Sequence, residues 1–321
     1  MLTRRRLGAA TLASLGPLGA ARAAWPERPV NLIVPFAAGG GTDAIGRLIA
    51  KMLQDEYGRP VNVVNRPGAG GVLGHSEMVN AAPDGHTIGV VTAEITTYRA
   101  LGTSQVGPDQ FTPLALMNFD AAAFNVRANS EWRDLKTALD AIKANPGRYK
   151  MTGMPVGAAY HIAFGGLLRQ MGIPVSAVPL VPGQGAAPGF QELAAGGVDL
   201  TTSSVPEGTA MRDAGRVRTL AVFSTARLAA FPDIPTVKEA TGVDFAGGTW
   251  RGIGGPRNMN AEAVARLSAS LARIYRSEEY TKFMTERGFG LQWEDGPGFG
   301  RFMADQERAN TETLKALGLA R

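Results

Sequence analysis

The chain predicts an α/β protein of two facing lobes with a cleft between them. Three observations carry that expectation. A strand–helix–strand–helix–strand run opens the fold, a second run of similar layout occupies the middle of the chain, and both place glycine loops after strands. Ligands of open α/β sheets bind beyond the carboxyl ends of strands, so these loops mark the candidate site.

The first residues read as an address, not as fold. Thr3-Arg4-Arg5-Arg6-Leu7 is a charged head, residues 7–21 are mildly apolar, and Ala21-Arg22-Ala23 suits cleavage after Ala23. Adjacent arginines and a run softened by Gly16, Pro17 and Gly19 suggest the twin-arginine route, with Sec export as the alternative. The run is too short and too rich in small residues to span about 30 Å of hydrocarbon. Arg4, Arg5, Arg6 and Arg22 also account for most of the formal charge, which falls from +5 to +1 beyond residue 23. A nucleic-acid partner thereby loses its main support. Cysteine is absent, which excludes disulfides, thiol catalysis and thiolate metal sites.

The apolar, β-branched run Val30-Asn31-Leu32-Ile33-Val34-Pro35-Phe36 predicts a buried strand. It feeds Gly39-Gly40-Gly41-Thr42-Asp43, after which Ile45, Leu48, Ile49, Met52 and Leu53 form the stripe of an amphipathic helix. Gly58 ends that helix. Residues 61–64 predict the next strand, and Asn65-Arg66-Pro67-Gly68-Ala69-Gly70-Gly71 is a second glycine loop opening another helix. A strand at 87–92 completes a βαβαβ run with right-handed crossovers.

The middle of the chain repeats the layout without residue-level identity. A short strand at 149–151 enters a loop over 152–159, a helix spans 160–171, a strand spans 175–181, and Pro182-Gly183-Gln184-Gly185-Ala186 is a further glycine loop before a helix. Residues 217–223 predict a strand and 245–255 an extended segment. Asn260 is an expected N-cap, and a last helix follows Gly296-Pro297-Gly298.

A glycine loop feeding a helix gathers unpaired N–H groups at the positive end of the helix dipole, a site that favours anions. Thr42 or Asp43 is the expected cap. No Gly-Lys-Ser/Thr ending follows, which excludes a P-loop. Gly39 to Ala44 does fit G-x-G-x-x-A, so a dinucleotide site remains open. Asn65-Arg66 stands where that site wants an acid, although Arg66 suits a 2′-phosphate. Catalytic patterns are thin: His75, His86 and His161 lack metal-ligand spacing, and no nucleophile motif appears. Neither a metal, a cofactor nor a catalytic residue is expected. Trp250 is equally readable as cleft wall or core. Arg251 reads more readily as a solvated strand residue than as a carboxylate clamp. Glu207 follows a strand end, an odd neighbour for an acidic ligand unless it accepts a ligand hydroxyl or a water.

Taken together, residues 29–36, Gly39-Gly40-Gly41-Thr42-Asp43, residues 65–71 and Pro83-Asp84-Gly85 resemble the N-terminal signature of the Bug family, the periplasmic receptors of tripartite tricarboxylate transporters. The likeness continues through Gly196-Gly197-Val198-Asp199, residues 218–222 and Phe231-Pro232-Asp233-Ile234-Pro235-Thr236. It implies a two-lobed Venus-flytrap fold of the type II periplasmic-binding class, with 24–123 and 247–321 in one lobe and 124–246 in the other. It also implies a monomer that binds a small organic acid and serves transporter membrane subunits. On that pattern the site comprises Phe36, Gly39, Gly40, Gly41, Thr42, Asp43, Gly68, Ala69, Gly70 and Gly71 of lobe 1. Gly153, Met154, Val156, Gly157, Ala158 and His161 would come from lobe 2; Gln184 of the last glycine loop, Glu207 and Trp250 are added from the residues themselves. Met154, Pro155, Ala158 and Ala159 replace the family's serine-rich loop, which leaves room for a bulkier, less polar acid than citrate. An exported nicotinamide-dependent oxidoreductase and a sensor docked on a signalling protein are the alternatives.

Overall fold

The computed structural model describes residues 25–321, so the export segment read at 1–23 lies outside the described residues. The first stretch contains β1 (Val30–Val34), α1 (Gly41–Tyr57), β2 (Val61–Asn65), α2 (Val72–Val79), β3 (Thr87–Thr92), α3 (Tyr98–Leu101) and β4 (Phe111–Ala121). The second contains β5 (Ala123–Arg127), α4 (Leu135–Ala144), β6 (Met151–Thr152), α5 (Ala159–Gln170), α6 (Ala186–Ala195), β7 (Leu200–Thr201), α7 (Thr209–Asp213), β8 (Val217–Val222) and α8 (Val237–Thr241). The last contains β9 (Gly248–Pro256), α9 (Ala261–Arg276), α10 (Glu278–Arg287), β10 (Leu291–Asp295) and α11 (Gly296–Ala316).

Two sheets result. The larger has the order β10-β4-β9-β3-β1-β2 and draws on both ends of the chain; the smaller has the order β6-β7-β5-β8. β1 runs parallel to β2 and β3, as the βαβαβ pattern requires. β9 enters antiparallel between β3 and β4. The larger sheet is covered on both faces, and the alternation of β1 shows how. Val30, Leu32 and Val34 pack with Ile45, Ile49, Leu267 and Leu271 on one side, while Ile33 packs with Met78, Trp250 and Phe299 on the other. The second lobe has its own core of Phe124, Trp132, Leu139, Phe164 and Leu167.

The chain crosses between the lobes at two adjacent points, and α5 of the second lobe packs Ile162 against Leu101 and Leu314 of the first. β4 passes into β5 through Ala122, and the chain returns through Gly247 into β9. Ala122 N–H donates to Gly247 O at 2.9 Å, Gly247 N–H to Phe223 O at 2.9 Å, and Phe223 N–H to Ala122 O at 2.8 Å.

Several expectations need correction. Residues 175–181 are not a strand: Val175–Ala177 is a 3-10 turn, and Leu180 makes one isolated bridge to Met151. Pro174 and Pro179 flank this stretch and cannot donate to a ladder. The last helix starts at Gly296, capped by the Asp295 side chain, because proline fits the first turn of a helix. Asn260 does cap α9, accepting from Glu262 N and Ala263 N, and Gly58 ends α1 at φ 61°.

Candidate functional site

One edge of the larger sheet faces the smaller lobe. The carboxyl ends of β1, β3 and β4 lie there, beside the amino end of β9. The register aligns Thr92 with Arg251, and Asn118 with Arg251. Opposite stand the loops that leave β6 and β7. Between them is a small, partly open cavity, reaching Phe36, Gly40, Gly41 and Thr42 on the first wall. Gly153, Met154, Tyr160 and Glu207 face it from the second.

The start of α1 is uncapped. Gly40 occupies the N-cap with extended backbone, and no side chain caps the helix. The Asp43 carboxylate instead turns back to accept from Gly39 N–H at 2.9 Å, and also binds Arg47 Nε at 2.9 Å and Asn65 Nδ2 at 2.9 Å. Burial raises the Asp43 carboxyl, but the bonds from Arg47, Gly39 and Asn65 outweigh it and hold the group below its ordinary range. Thr42, the other expected cap, accepts from Arg251. The first residues of α1, Gly41 and Thr42, therefore line the cavity at the dipole's positive end with no side-chain cap.

Arg251 is the centre of the cavity's polar network. Its guanidinium donates to Thr42 Oγ1 at 2.9 Å, Asn118 Oδ1 at 2.7 Å, Asp120 Oδ2 and, across the cleft, Glu207 Oε1 at 2.9 Å. Glu207 is positioned in turn by Tyr160 Oη at 2.7 Å and Ser204 Oγ at 3.0 Å, both donating to Oε2. The expectation of a solvated Arg251 is overturned: its side chain is 3% exposed. Burial works against the guanidinium's charge, yet Glu207 and Asp120 outweigh that penalty and raise its pKa further. Gly41 makes room for this cluster, since a Cβ there would lie 2.8 Å from Glu207 Oε1 and 3.0 Å from Arg251 Nη2.

Glu94, on a short 3-10 turn after β3, is a further buried acid lining the cavity. Thr92 Oγ1 donates to its Oε2 at 2.5 Å. Burial raises its pKa against that bond, and no cation pairs with it among the described residues.

Of the residues expected at the site, Phe36, Gly40, Gly41, Thr42, Gly153, Met154 and Glu207 line this cavity. Gly39 lies just outside, in a neighbouring depression. Asp43 points away, into its bonds with Arg47 and Asn65. Gly68, Ala69, Gly70 and Gly71 form a turn buttressed from behind, with Tyr98 Oη donating to Gly70 O at 3.0 Å. That turn abuts Pro155 but does not reach the cavity. Val156 is exposed, Ala158 belongs to the lobe 2 core, and Gly157 donates to His161 Nδ1 at 3.0 Å. His161 is thereby kept behind the loop. Gln184 is likewise absent from the lining. Trp250 is core: it packs edge-on against Phe299 and Phe302 on the far side of β9. The alternation of a strand explains this, because Thr249 and Arg251 face the cleft and the residue between them cannot. The lining residues outside the expected set are Ala37, Thr92, Glu94, Pro155, Tyr160, Gly185, Ala186, Thr249 and Arg251, of which Arg251 was weighed as a carboxylate clamp and set aside.

The dinucleotide alternative finds no purchase on this geometry. Asn65, at the end of β2, gives its amide to Phe36 O and Asp43, and Arg66 is paired with Glu77 at 2.7 Å. A family model described as "Tripartite tricarboxylate transporter family receptor" matches residues 45–319. The chain belongs to that receptor family. Its likeness to the "UPF0065 protein in tcbD-tcbE intergenic region" of Pseudomonas sp. (strain P51) amounts to 30% identity, over 92% of this chain and 86% of that protein. Among solved structures, R. palustris Rpa4515 with adipate superposes with a TM-score of 0.86 at 26% identity, covering 92% of this chain and 99% of the other. The periplasmic binding protein BugD gives a TM-score of 0.84 at 28% identity, with the same coverage. The two sheets and the cleft of this receptor are thus the two lobes of a periplasmic binding fold.

Proposed function

We propose that this receptor is exported, by the twin-arginine route with cleavage after Ala23, and works in the periplasm as a monomer that captures a small organic acid. One carboxylate of the ligand binds at the start of α1, the lobes close over it, and the closed form serves the membrane subunits of a tripartite transporter. The observation that carries this reading is the start of α1, which no side chain caps and whose first residues line the cavity between the lobes. The adipate held by its structural relative supports the ligand class. Phe36, Met154, Pro155 and Ala186 supply an apolar lining that suits a carbon chain.

Calorimetry with mono-, di- and tricarboxylates on ligand-free protein tests the proposal; absence of heat from every acid would overturn it. Gly40→Val sharpens the test. Gly40 has φ −84° and ψ 174°, which a β-branched residue adopts freely, and its Cβ would meet nothing nearer than 3.9 Å. The variant should fold normally and bind at least about tenfold more weakly, a loss of about 1.4 kcal/mol. Unchanged affinity would mean that the loop only shapes the turn.

A further inference from the structure

The cleft holds an internal ion pair where an acidic ligand would be expected to find a free cation. Arg251 has five N–H donors, and four are engaged by Thr42, Asn118, Asp120 and Glu207. Asp120 and Asn118 belong to the same lobe as Arg251 and support it from behind. Glu207 comes from the other lobe and rests against the first residue of α1. Glu207 therefore sits where a ligand carboxylate would bind both the guanidinium and the helix start. Glu94 adds a second cavity-facing acid, 7% exposed and without a cationic partner among the described residues.

We propose that the cleft selects zwitterionic acids, bearing an ammonium group as well as a carboxylate, by exchanging the Arg251–Glu207 pair for two ion pairs with the ligand. The proposal rests on the cleft being the ligand site. The argument is one of buried charge. A dicarboxylate that takes Arg251 leaves Glu207 buried without a partner, close to Glu94, and brings a second anion with it. Such an uncompensated arrangement is strongly disfavoured in a closed site. A simple amine satisfies Glu207 but strips Arg251 of its cross-cleft partner and leaves the start of α1 empty. A zwitterion does both jobs: its carboxylate replaces Glu207 on Arg251, beside the uncapped start of α1, and its ammonium replaces Arg251 on Glu207, with Glu94 as a second acceptor. An organic cation fits better than a metal ion, because no group of three or more His, Cys, Asp or Glu ligands converges among the described residues.

Matched pairs of ligands test this by calorimetry on the mature, ligand-free receptor: succinate against 4-aminobutyrate, adipate against 6-aminohexanoate, with leucine and pentylamine alongside. The expected result is that an amino acid, 6-aminohexanoate, 4-aminobutyrate or leucine, binds at least tenfold more tightly than the dicarboxylates and pentylamine. Glu207→Gln, shown to be folded by its thermal transition, should reverse the preference within the matched pairs. Glu94→Gln, which keeps the shape and can keep the Thr92 bond, should narrow it at least threefold and serves if Glu207→Gln does not fold. Tighter binding of the dicarboxylates by the unaltered receptor overturns the inference and leaves the carboxylate-receptor reading intact. Pentylamine binding as tightly as the amino acids overturns the carboxylate half. Equal weakening of both members of a pair in each variant assigns the two acids a structural role only, and heat from no ligand overturns both readings.

Discussion

The two walls of the cleft are built differently. The first lobe presents groups anchored in a six-stranded sheet: Arg251 lies within β9, backed by Asn118 and Asp120 of the neighbouring strand, and α1 begins directly after the β1 loop. The second lobe presents groups at the ends of two-residue strands, on a loop and a 3-10 turn. Its Glu207 is positioned by side chains, Tyr160 and Ser204, and not by sheet register. The first wall therefore offers groups fixed by its sheet, the Arg251 donors and the Glu94 carboxyl, and the second offers an acceptor, Glu207, whose placement depends on packing. Charge recognition is rigid on one side and adjustable on the other.

The largest test of this contrast is Asp120→Ala. Removing that carboxylate leaves Arg251 buried with its same-lobe counter-ion gone and orphans the Gly290 N–H, which now donates to Asp120 at 2.9 Å. A loss of about 3–5 kcal/mol is expected, read from the urea midpoint. An effect below about 1 kcal/mol would mean that the first wall is not the rigid one.

Gly189→Ala probes the second wall. A Cβ there would collide with the backbone of Gly153, so α6 could no longer lie against the loop after β6. Overpacking of this kind costs about 1–3 kcal/mol, and ligand affinity should fall with it.

Acid separates the lobes by one histidine each. Burial holds His75 in the first lobe down at about 3 and His161 in the second at about 4. Thr92 N–H donates to His75 Nε2, which leaves Nδ1 to donate to Tyr98. Both rings stay neutral in the folded chain while the unfolded chain takes up protons below about pH 6.5. Their full contribution is present above that pH and is lost as pH falls towards 4. The slope is about 1.4 kcal/mol per pH unit for each ring. Denaturation of His75→Gln and His161→Gln across pH 4 to 7 should each remove one share of the slope; an unchanged slope in both would refute the assignment.

The smallest stability effect should come from Gly41→Ala. A methyl against Glu207 and Arg251 separates the walls without touching either core, so stability should move by less than about 1 kcal/mol. Small-angle scattering of the ligand-free variant should show a more open particle. An unchanged profile would show that the cross-cleft pair does not hold the lobes together.

The same contrast explains what was readable in the sequence. β1, α1, β2, α2 and β3 were legible because each carries its own periodicity and the glycines punctuate them locally. Glu94, Tyr160 and Arg251 were not. Glu94 and Arg251 are neighbours only because β9 inserts antiparallel beside β3, a pairing about 160 residues distant that no local pattern announces. A single arginine in a strand carries no mark of burial; its counter-ions, Asp120 and Glu207, lie far away in the chain. β4 and β5 went unread because their runs adjoin at Ala122, with no turn residue to divide them. The alternation at Thr249, Trp250 and Arg251 was the one available signal, since a buried Trp250 forces its neighbours to the opposite face.

The side-by-side crossings at Ala122 and Gly247 have a practical consequence. The chain crosses between the lobes only at these two adjacent points, so a change in cleft occupancy that turns one lobe on the other is read as a distance across the cleft. The chain contains no cysteine, and Leu73 on one lobe and Val181 on the other are 57% and 42% exposed. Cysteines placed at those two positions would take a donor and acceptor dye without competition. The receptor would then report its own ligand optically, in real time.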